Sequence, residues 1–274
     1  MNQQTQSSQR VLPSLAFALV SLVAGSCTSP QPPAENSGPS TPDSSTAEIG
    51  KFWAWFASNH ESILAEWLQG DAESRIADPS TQLGELDARF DALHAGLSWE
   101  IGPTDDDGAF LAVSPSADRD LVELVESIVD DAPHISDWAF RAYRPRKLWD
   151  RIVRFGEREL DAKNWKYVTV SWRDPFALGV TFVVPQEIYR ELEDPTLTAE
   201  FVLLSEIGER LSMKYFDDVE LVPDGEEDPS YTDRLGPIEY LRPHVQQLID
   251  NAFPDDPSAS DDDGSPATTT RKSP

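Results

Sequence analysis

The stretch Leu97–Ser114, LSWEIGPTDDDGAFLAVS, decides the fold class that this sequence predicts. Its first six residues alternate apolar with polar or small side chains, which is the period of a strand with one buried face. Asp107-Gly108 follows, a pair that adopts the positive φ of a tight turn. The last six residues, Ala109–Ser114, predict the returning strand. The sequence therefore predicts a β-hairpin here.

Helices are predicted before this hairpin. Within Lys51–Gly70 the large apolar side chains recur every three or four residues, which places them on one helical face. They are Trp53, Phe56, Ile63, Leu64 and Trp67, with His60 on the same face. A second helix is predicted to be capped by Ser80 and to end at Gly96.

A helix capped by Asp118 and a strand over Trp138–Arg144 are predicted after the hairpin. The same order recurs downstream, in two strands, a helix and a third strand. These elements are predicted over Tyr167–Arg173, Leu178–Val184, a helix starting near Asp194-Pro195, and Met213–Val222. The pattern favours an α+β fold, with an antiparallel or mixed sheet, helices packed on one face, and two β-β-α-β halves.

The N-terminal residues 1–26 predict a signal peptide. A polar segment with one cation precedes about 14 mostly apolar residues, too few for the roughly 20 that cross a bilayer. Ala24, Gly25 and Ser26 stand before Cys27, and this arrangement resembles the lipobox of bacterial lipoproteins, in which the cysteine is acylated. The same residues also suit the ordinary secretory peptidase. Cys27 is the chain's single cysteine, which favours lipidation and a place at the cell envelope, facing outside the cytoplasm.

Composition divides the remainder of the chain into three parts. Residues 27–49 are rich in proline and serine, which predicts a lipidated cysteine followed by a disordered tether. Residues 50–253 contain most of the aromatic side chains and predict a single globular domain. Residues 254–274 predict a disordered acidic tail.

The net charge limits the kinds of partner that can be expected. Forty-nine acidic and 22 basic residues give a formal charge of −27, which repels nucleic-acid phosphates. We therefore expect no nucleic-acid partner. Besides the membrane that the lipid would enter, a basic protein or a small anion is the expected partner.

Sequence motifs for catalysis or cofactors are missing. Four histidines are scattered without the spacing of a zinc site, and no nucleophile elbow, phosphate loop or dinucleotide motif occurs. We expect no metal and no cofactor. The sequence favours a binding protein over an enzyme.

One run of basic residues stands out in this acidic chain. Six cations occur within fourteen residues: Arg141, Arg144, Arg146, Lys147, Arg151 and Arg154. Strand alternation predicts that Arg141 and Tyr143 lie on the polar face of a sheet. If Tyr167–Arg173 joins that sheet, Arg173 shares the face. The candidate binding residues are therefore Arg141, Tyr143, Arg144, Arg146 and Arg173. The guanidinium groups of the four arginines suit a carboxylate or phosphate. The alternative is that these arginines pair with nearby acids and hold the fold together.

Four motifs in the domain resemble those of a family of uncharacterised bacterial proteins. They are Phe52–Phe56 (FWAWF), Trp99–Pro103 (WEIGP), Trp138–Lys147 (WAFRAYRPRK) and Leu203–Glu209 (LLSEIGE). The resemblance covers about residues 51–248 and implies one domain of this extent. It implies no activity.

These observations favour a membrane-tethered, extracytoplasmic interaction or binding module. One version is an inhibitor or immunity-type protein that binds a cationic partner. The alternative is an envelope enzyme or a small-anion binding protein that uses the arginine-rich face of the sheet.

Overall fold

A computed structural model describes residues 43–70, 72–105, 108–147, 149–155, 158–173 and 175–254. All of them belong to one compact unit, Asn36–Pro274. The predicted signal peptide, Cys27, the tether up to residue 42, the turn residue Asp107 and the tail beyond Pro254 lie outside the described residues. Those predictions stay predictions.

The N-terminal half, residues 43–142, packs its helices on one face of a three-stranded sheet. Its elements are α1 (Asp43–Leu68), α2 (Ala72–Ile76), α3 (Gln82–Leu93), β1 (Ser98–Pro103), β2 (Ala109–Ser114), a 3₁₀ turn (Arg119–Leu121), α4 (Val122–Asp130) and β3 (Trp138–Ala142). The strand order is β1-β2-β3. Strand β2 pairs antiparallel with β1 and parallel with β3.

A connecting segment, residues 143–151, leads to a two-stranded hairpin and then to the C-terminal half, residues 166–254. The hairpin is β4 (Ile152–Phe155) and β5 (Arg158–Asp161). The C-terminal half contains β6 (Lys166–Arg173), β7 (Phe176–Val184), α5 (Gln186–Glu191), α6 (Pro195–Ile207), α7 (Glu209–Tyr215), β8 (Phe216–Pro223), β9 (Gly236–Pro237) and α8 (Leu241–Ala252). The strand order of its sheet is β8-β7-β6-β9.

The two halves share one strand topology. In each half a hairpin is followed by helix, and the third strand then pairs parallel with the second strand of the hairpin. The predicted α+β class, with a mixed sheet and a repeated strand, strand, helix, strand order, is confirmed.

The aromatic face of α1 forms the core of the N-terminal half. Phe52, Trp53 and Phe56 are buried. The ring of Phe56 meets that of Trp138 on β3 edge to face, with 5.0 Å between centroids. The indole of Trp53 donates a hydrogen bond of 2.7 Å to the carbonyl of Ile128 in α4. The helix therefore buries its apolar side chains, and the buried indole N–H of Trp53 still has a hydrogen-bond acceptor.

Helix α1 begins earlier than the sequence predicts. It starts at Asp43, whereas periodicity predicted a start at Lys51 and a tether up to residue 49. Ile49 is 1% exposed and packs in the N-terminal core. The burial of this side chain stabilises the additional helical turns, which the neighbouring polar composition concealed.

The core of the C-terminal half lies between its sheet and helices α6, α7 and α8. The residues of β7 that point into it are Leu178, Val180, Phe182 and Val184. Helix α6 is capped by Asp194, whose carboxylate accepts a hydrogen bond of 2.9 Å from the N–H of Leu197. This cap was predicted and is confirmed.

Several element boundaries differ from the predictions. Thr81, and not Ser80, caps α3 through its hydroxyl. Met213 belongs to α7, so that β8 starts at Phe216 and not at Met213. Hairpin β4–β5 and helix α5 were not predicted, since strands of four residues and a helix of six give too short a periodic signal.

Candidate functional site

The connecting segment is fixed to the C-terminal half at the junction of α6 and α7. Gly208 separates these helices with φ 83° and ψ 160°, a backbone conformation that belongs almost entirely to glycine. The N–H of Lys147 donates to the carbonyl of Ser205 at 2.8 Å, and the N–H of Glu209 donates to the carbonyl of Arg144 at 3.0 Å. A Cβ at Gly208 would lie 3.1 Å from the Arg146 nitrogen. The close approach of the two segments therefore requires this glycine.

Glu209 joins the two halves through its side chain. It is 1% exposed. One carboxylate oxygen accepts a hydrogen bond of 2.6 Å from the hydroxyl of Ser114 on β2, and the other accepts one of 2.9 Å from the backbone N–H of Arg144. Both oxygens of a buried carboxylate are thus occupied, at the first residue of a helix, where the helix dipole favours negative charge.

Two of the predicted binding residues face the polar side of the N-terminal sheet. The guanidinium of Arg141 lies 4.7 Å from the ring centroid of Phe110, which is on the same face. Arg144 donates a hydrogen bond of 2.7 Å to the hydroxyl of Ser98 on β1. The predicted position of Arg141 on the polar face is confirmed, and both arginines bind within the protein.

Tyr143 departs from the prediction. Strand β3 ends at Ala142, and Tyr143 has φ 75°, which interrupts the alternation that would have placed it beside Arg141. Its hydroxyl donates a hydrogen bond of 2.9 Å to Glu126 in α4. Burial, and then the neighbouring Glu126 carboxylate, raise the pKa of Tyr143 above its usual value.

Arg173 does not share a sheet with Arg141, so the expectation of a common face was wrong. Arg173 is the last residue of β6, which pairs with β7 and β9, whereas Arg141 belongs to the sheet of β1, β2 and β3. The side chain of Arg173 is exposed. Sequence alternation assigns a residue to a face of its strand but does not say which strands share a sheet.

Three further cations of the basic run, Arg146, Lys147 and Arg151, lie at a cleft of about 370 Å³ between the connecting segment and α8. Its lining residues are Arg146, Lys147, Trp149, Arg151, Glu206, Glu239, Arg242 and Pro243. Arg146 is the predicted binding residue that lines this cleft. The connecting segment contributes three of the four cations, and α8 contributes Arg242.

Lys147 and Arg151 are matched to carboxylates. Lys147 forms a largely buried ion pair with Glu100 of β1. Arg151 donates to both carboxylate oxygens of Glu206, at 2.7 Å from Nε and 3.3 Å from the terminal nitrogen, and the indole of Trp149 adds a bond of 3.2 Å. Glu206 is 6% exposed, so these donors compensate for its burial.

The lining of the cleft is positive although the protein is negative. Four cations and two carboxylates line it, whereas the whole chain has a formal charge of −27. Guanidinium groups bind carboxylate or phosphate through planar pairs of hydrogen bonds. Chemically, this arrangement can hold a small anion.

A second cleft, of about 450 Å³, lies between α1 and the segment before β3. His60, His134, Glu61 and Asp137 are among its lining residues. Within the part of the chain that the structure describes, no group of three or more histidine, cysteine, aspartate or glutamate side chains is placed to hold a metal ion. Among the same residues, no helix is both long and apolar enough to cross a bilayer.

Comparison with known proteins gave no match. No family model, no curated protein and no solved structure is detectably similar to this chain. The description of the site therefore depends on its own residues.

Three charged residues of the cleft were not predicted from the sequence, namely Glu206, Glu239 and Arg242. The sequence offered a signal for Glu206, since this residue lies in the Leu203–Glu209 motif.

The four motifs meet in the fold. FWAWF packs on the aromatic residues of β3, Glu100 of WEIGP pairs with Lys147, and the Leu203–Glu209 motif holds the connecting segment.

Proposed function

We propose that this chain is a non-enzymatic binding protein of the cell envelope that holds a small anion in the cationic cleft. One observation carries the proposal: four basic side chains line one cleft in a protein with a formal charge of −27. The cleft volume, about 370 Å³, lies in the range of small-molecule sites, roughly 300–1,000 Å³.

The location is part of the same proposal and is supported by sequence. Cys27 follows Ala24-Gly25-Ser26 and an apolar segment, an arrangement that resembles a lipobox with Ala24 in place of the usual Leu or Val. Mass spectrometry of the mature protein from a membrane fraction tests it. We expect an N-terminal cysteine with acyl chains, and an unmodified thiol at Cys27 would contradict the anchor.

Anion binding can be tested by ligand-induced stabilisation. Thermal unfolding of the wild type would be followed with increasing phosphate or succinate at constant ionic strength. A ligand at a hundred times its Kd stabilises the native state by about 2.7 kcal/mol. We expect the unfolding midpoint to rise with at least one of the two anions.

The matched variants are Arg242→Gln, in the cleft, and Arg190→Gln, on the exposed surface of α5. Both remove one positive charge. We expect Arg242→Gln to lose most of the ligand-induced shift, measured from its own unliganded midpoint, and Arg190→Gln to retain it. Equal shifts in the two variants would exclude the cleft as the anion site.

A second candidate function is supported by the overall charge. A protein with a formal charge of −27 attracts basic proteins, and Asp217, Asp218 and Glu220 are exposed along the edge strand β8. An inhibitor or immunity-type role toward a cationic partner would use this surface. Partners recovered from an envelope extract at 50 mM salt should be lost at 500 mM, because exposed charges are screened. Recovery that does not depend on salt would exclude this version.

A further inference from the structure

Glu239 differs from the other carboxylate in the lining of the cleft. It lies in the 3₁₀ turn Ile238–Tyr240, directly before α8, and its side chain is exposed. Within the described part of the chain it makes no hydrogen bond and no ion pair, whereas both oxygens of Glu206 are occupied by Arg151 and Trp149. Glu239 is therefore a carboxylate in a ligand-sized cleft whose acceptor sites are available to a ligand.

The electrostatics of the cleft would act differently on two kinds of anion. A ligand with negative charge alone would be attracted by the basic side chains but repelled by Glu239. A ligand that also has an ammonium group can place that group beside Glu239. The positive field at that group is reduced, because Lys147 and Arg151 pair with Glu100 and Glu206.

The cleft also has an apolar component that suits a short ligand body. Trp149 and Pro243 contribute to the lining between the charged groups. Trp149 is held in place by its bond to Glu206 and by an edge-to-face contact with Phe201, at 6.2 Å between centroids. A fixed aromatic side chain loses little conformational freedom when a ligand packs on it.

We infer that the ligand of this cleft is a small zwitterion, with a carboxylate bound by the arginines and an ammonium group bound by Glu239. A free dipeptide represents this class, with one charged group at each end. The inference rests on the proposed function, since it concerns the same cleft, and it adds Glu239 as the residue that determines specificity.

The test compares two ligands that differ by one charge. The dipeptide Ala-Ala has a free ammonium group, and N-acetyl-Ala-Ala lacks it while keeping the carboxylate. Affinities of both, and of phosphate, would be measured by calorimetric titration of the wild type, Glu239→Gln and the control Glu187→Gln. Glu187 is exposed on α5, outside the cleft, so the control removes the same charge elsewhere.

We expect the wild type and Glu187→Gln to bind Ala-Ala about two- to fivefold more tightly than the acetylated form, since an exposed ion pair has about this strength. Glu239→Gln should abolish the preference and bind phosphate at least as tightly as the wild type does. Because Glu239 is exposed and unbonded, the variant should unfold at the wild-type temperature.

The outcomes distinguish a failure of the zwitterion inference from a failure of the anion-binding proposal. If phosphate binds but the wild type shows no preference for Ala-Ala, or if Glu239→Gln keeps the preference, the zwitterion inference is wrong and the anion site remains. If neither phosphate nor either dipeptide binds to the wild type, the proposed function and this inference both fail.

Discussion

Replacing Glu209 by alanine removes a buried carboxylate that connects the two halves of the fold. In the native protein its oxygens accept hydrogen bonds from the Ser114 hydroxyl at 2.6 Å and from the Arg144 N–H at 2.9 Å. After the substitution both donors lose this acceptor, while the backbone bond from the N–H of residue 209 to Arg144 can remain. The loss is therefore confined to the side chain.

The expected loss in the free energy of unfolding follows from the two hydrogen bonds. A hydrogen bond to a charged group contributes about 1.5–3 kcal/mol to stability. Two such bonds, at a residue that is 1% exposed, give an expected loss of about 3–5 kcal/mol in the free energy of unfolding. Ser114→Ala removes one of the two and should cost about 1.5–3 kcal/mol.

Urea denaturation followed by tryptophan fluorescence measures these losses. Glu200→Ala is the control, since Glu200 is an exposed glutamate on α6 and its replacement should change stability by no more than about 0.5 kcal/mol. The expected order of loss is Glu209→Ala, then Ser114→Ala, then the control. A loss below about 1 kcal/mol for Glu209→Ala would refute the reasoning that this carboxylate holds the halves together.

Two further predictions concern a histidine and a glycine. Burial, and then the charge of Arg234, lower the pKa of His244, which bonds to the Tyr167 hydroxyl at 3.1 Å. The folded state therefore binds fewer protons than the unfolded state, and the stability from this group is lost as the pH falls below about 6.5, the ordinary histidine value. Between pH 7.5 and pH 5.0, urea denaturation should show a smaller loss for His244→Gln than for the wild type, and an equal loss would contradict the prediction. Gly208→Ala should cost about 1–3 kcal/mol because of its positive φ. Gly50→Ala in the open surface of α1 should instead stabilise by about 0.5–1 kcal/mol, and the same sign for both would contradict the argument.

The sequence predicted the regular elements of this fold well where their periodicity was long. The bounds of β2 agree with the prediction, and Asp194 caps α6 as expected, whereas Asp118 caps the 3₁₀ turn that leads into α4 and not α4 itself. In each case the signal is local, because a strand alternates and a cap bonds within three residues. The prediction that Arg173 shares a sheet with Arg141 failed for the opposite reason, since sheet membership depends on contacts between residues that are remote in sequence.

The candidate site was predicted only in part. The sequence shows that basic side chains cluster between Arg141 and Arg154, but the acids that they meet come from elsewhere. Arg151 bonds to Glu206, 55 positions away, and Lys147 to Glu100, 47 positions away. The ion pairs of Lys147 and Arg151 support the interpretation that these cations hold the fold together, and anion binding by the arginines stays a prediction. Arg144 and Lys147 hold strands and helices together, and Arg146 lines the cleft.

The bond from Ser114 to Glu209 also has a consequence for the order of folding. During synthesis Ser114 leaves the ribosome well before its acceptor Glu209, which lies 95 residues later in the chain. Until then the N-terminal half can assemble around its own aromatic core, because its hairpin and helices are close in sequence. The docking of α7 then completes the molecule as a late step. Substitutions at this contact should consequently shorten the lifetime of the native state and leave the refolding rate nearly unchanged.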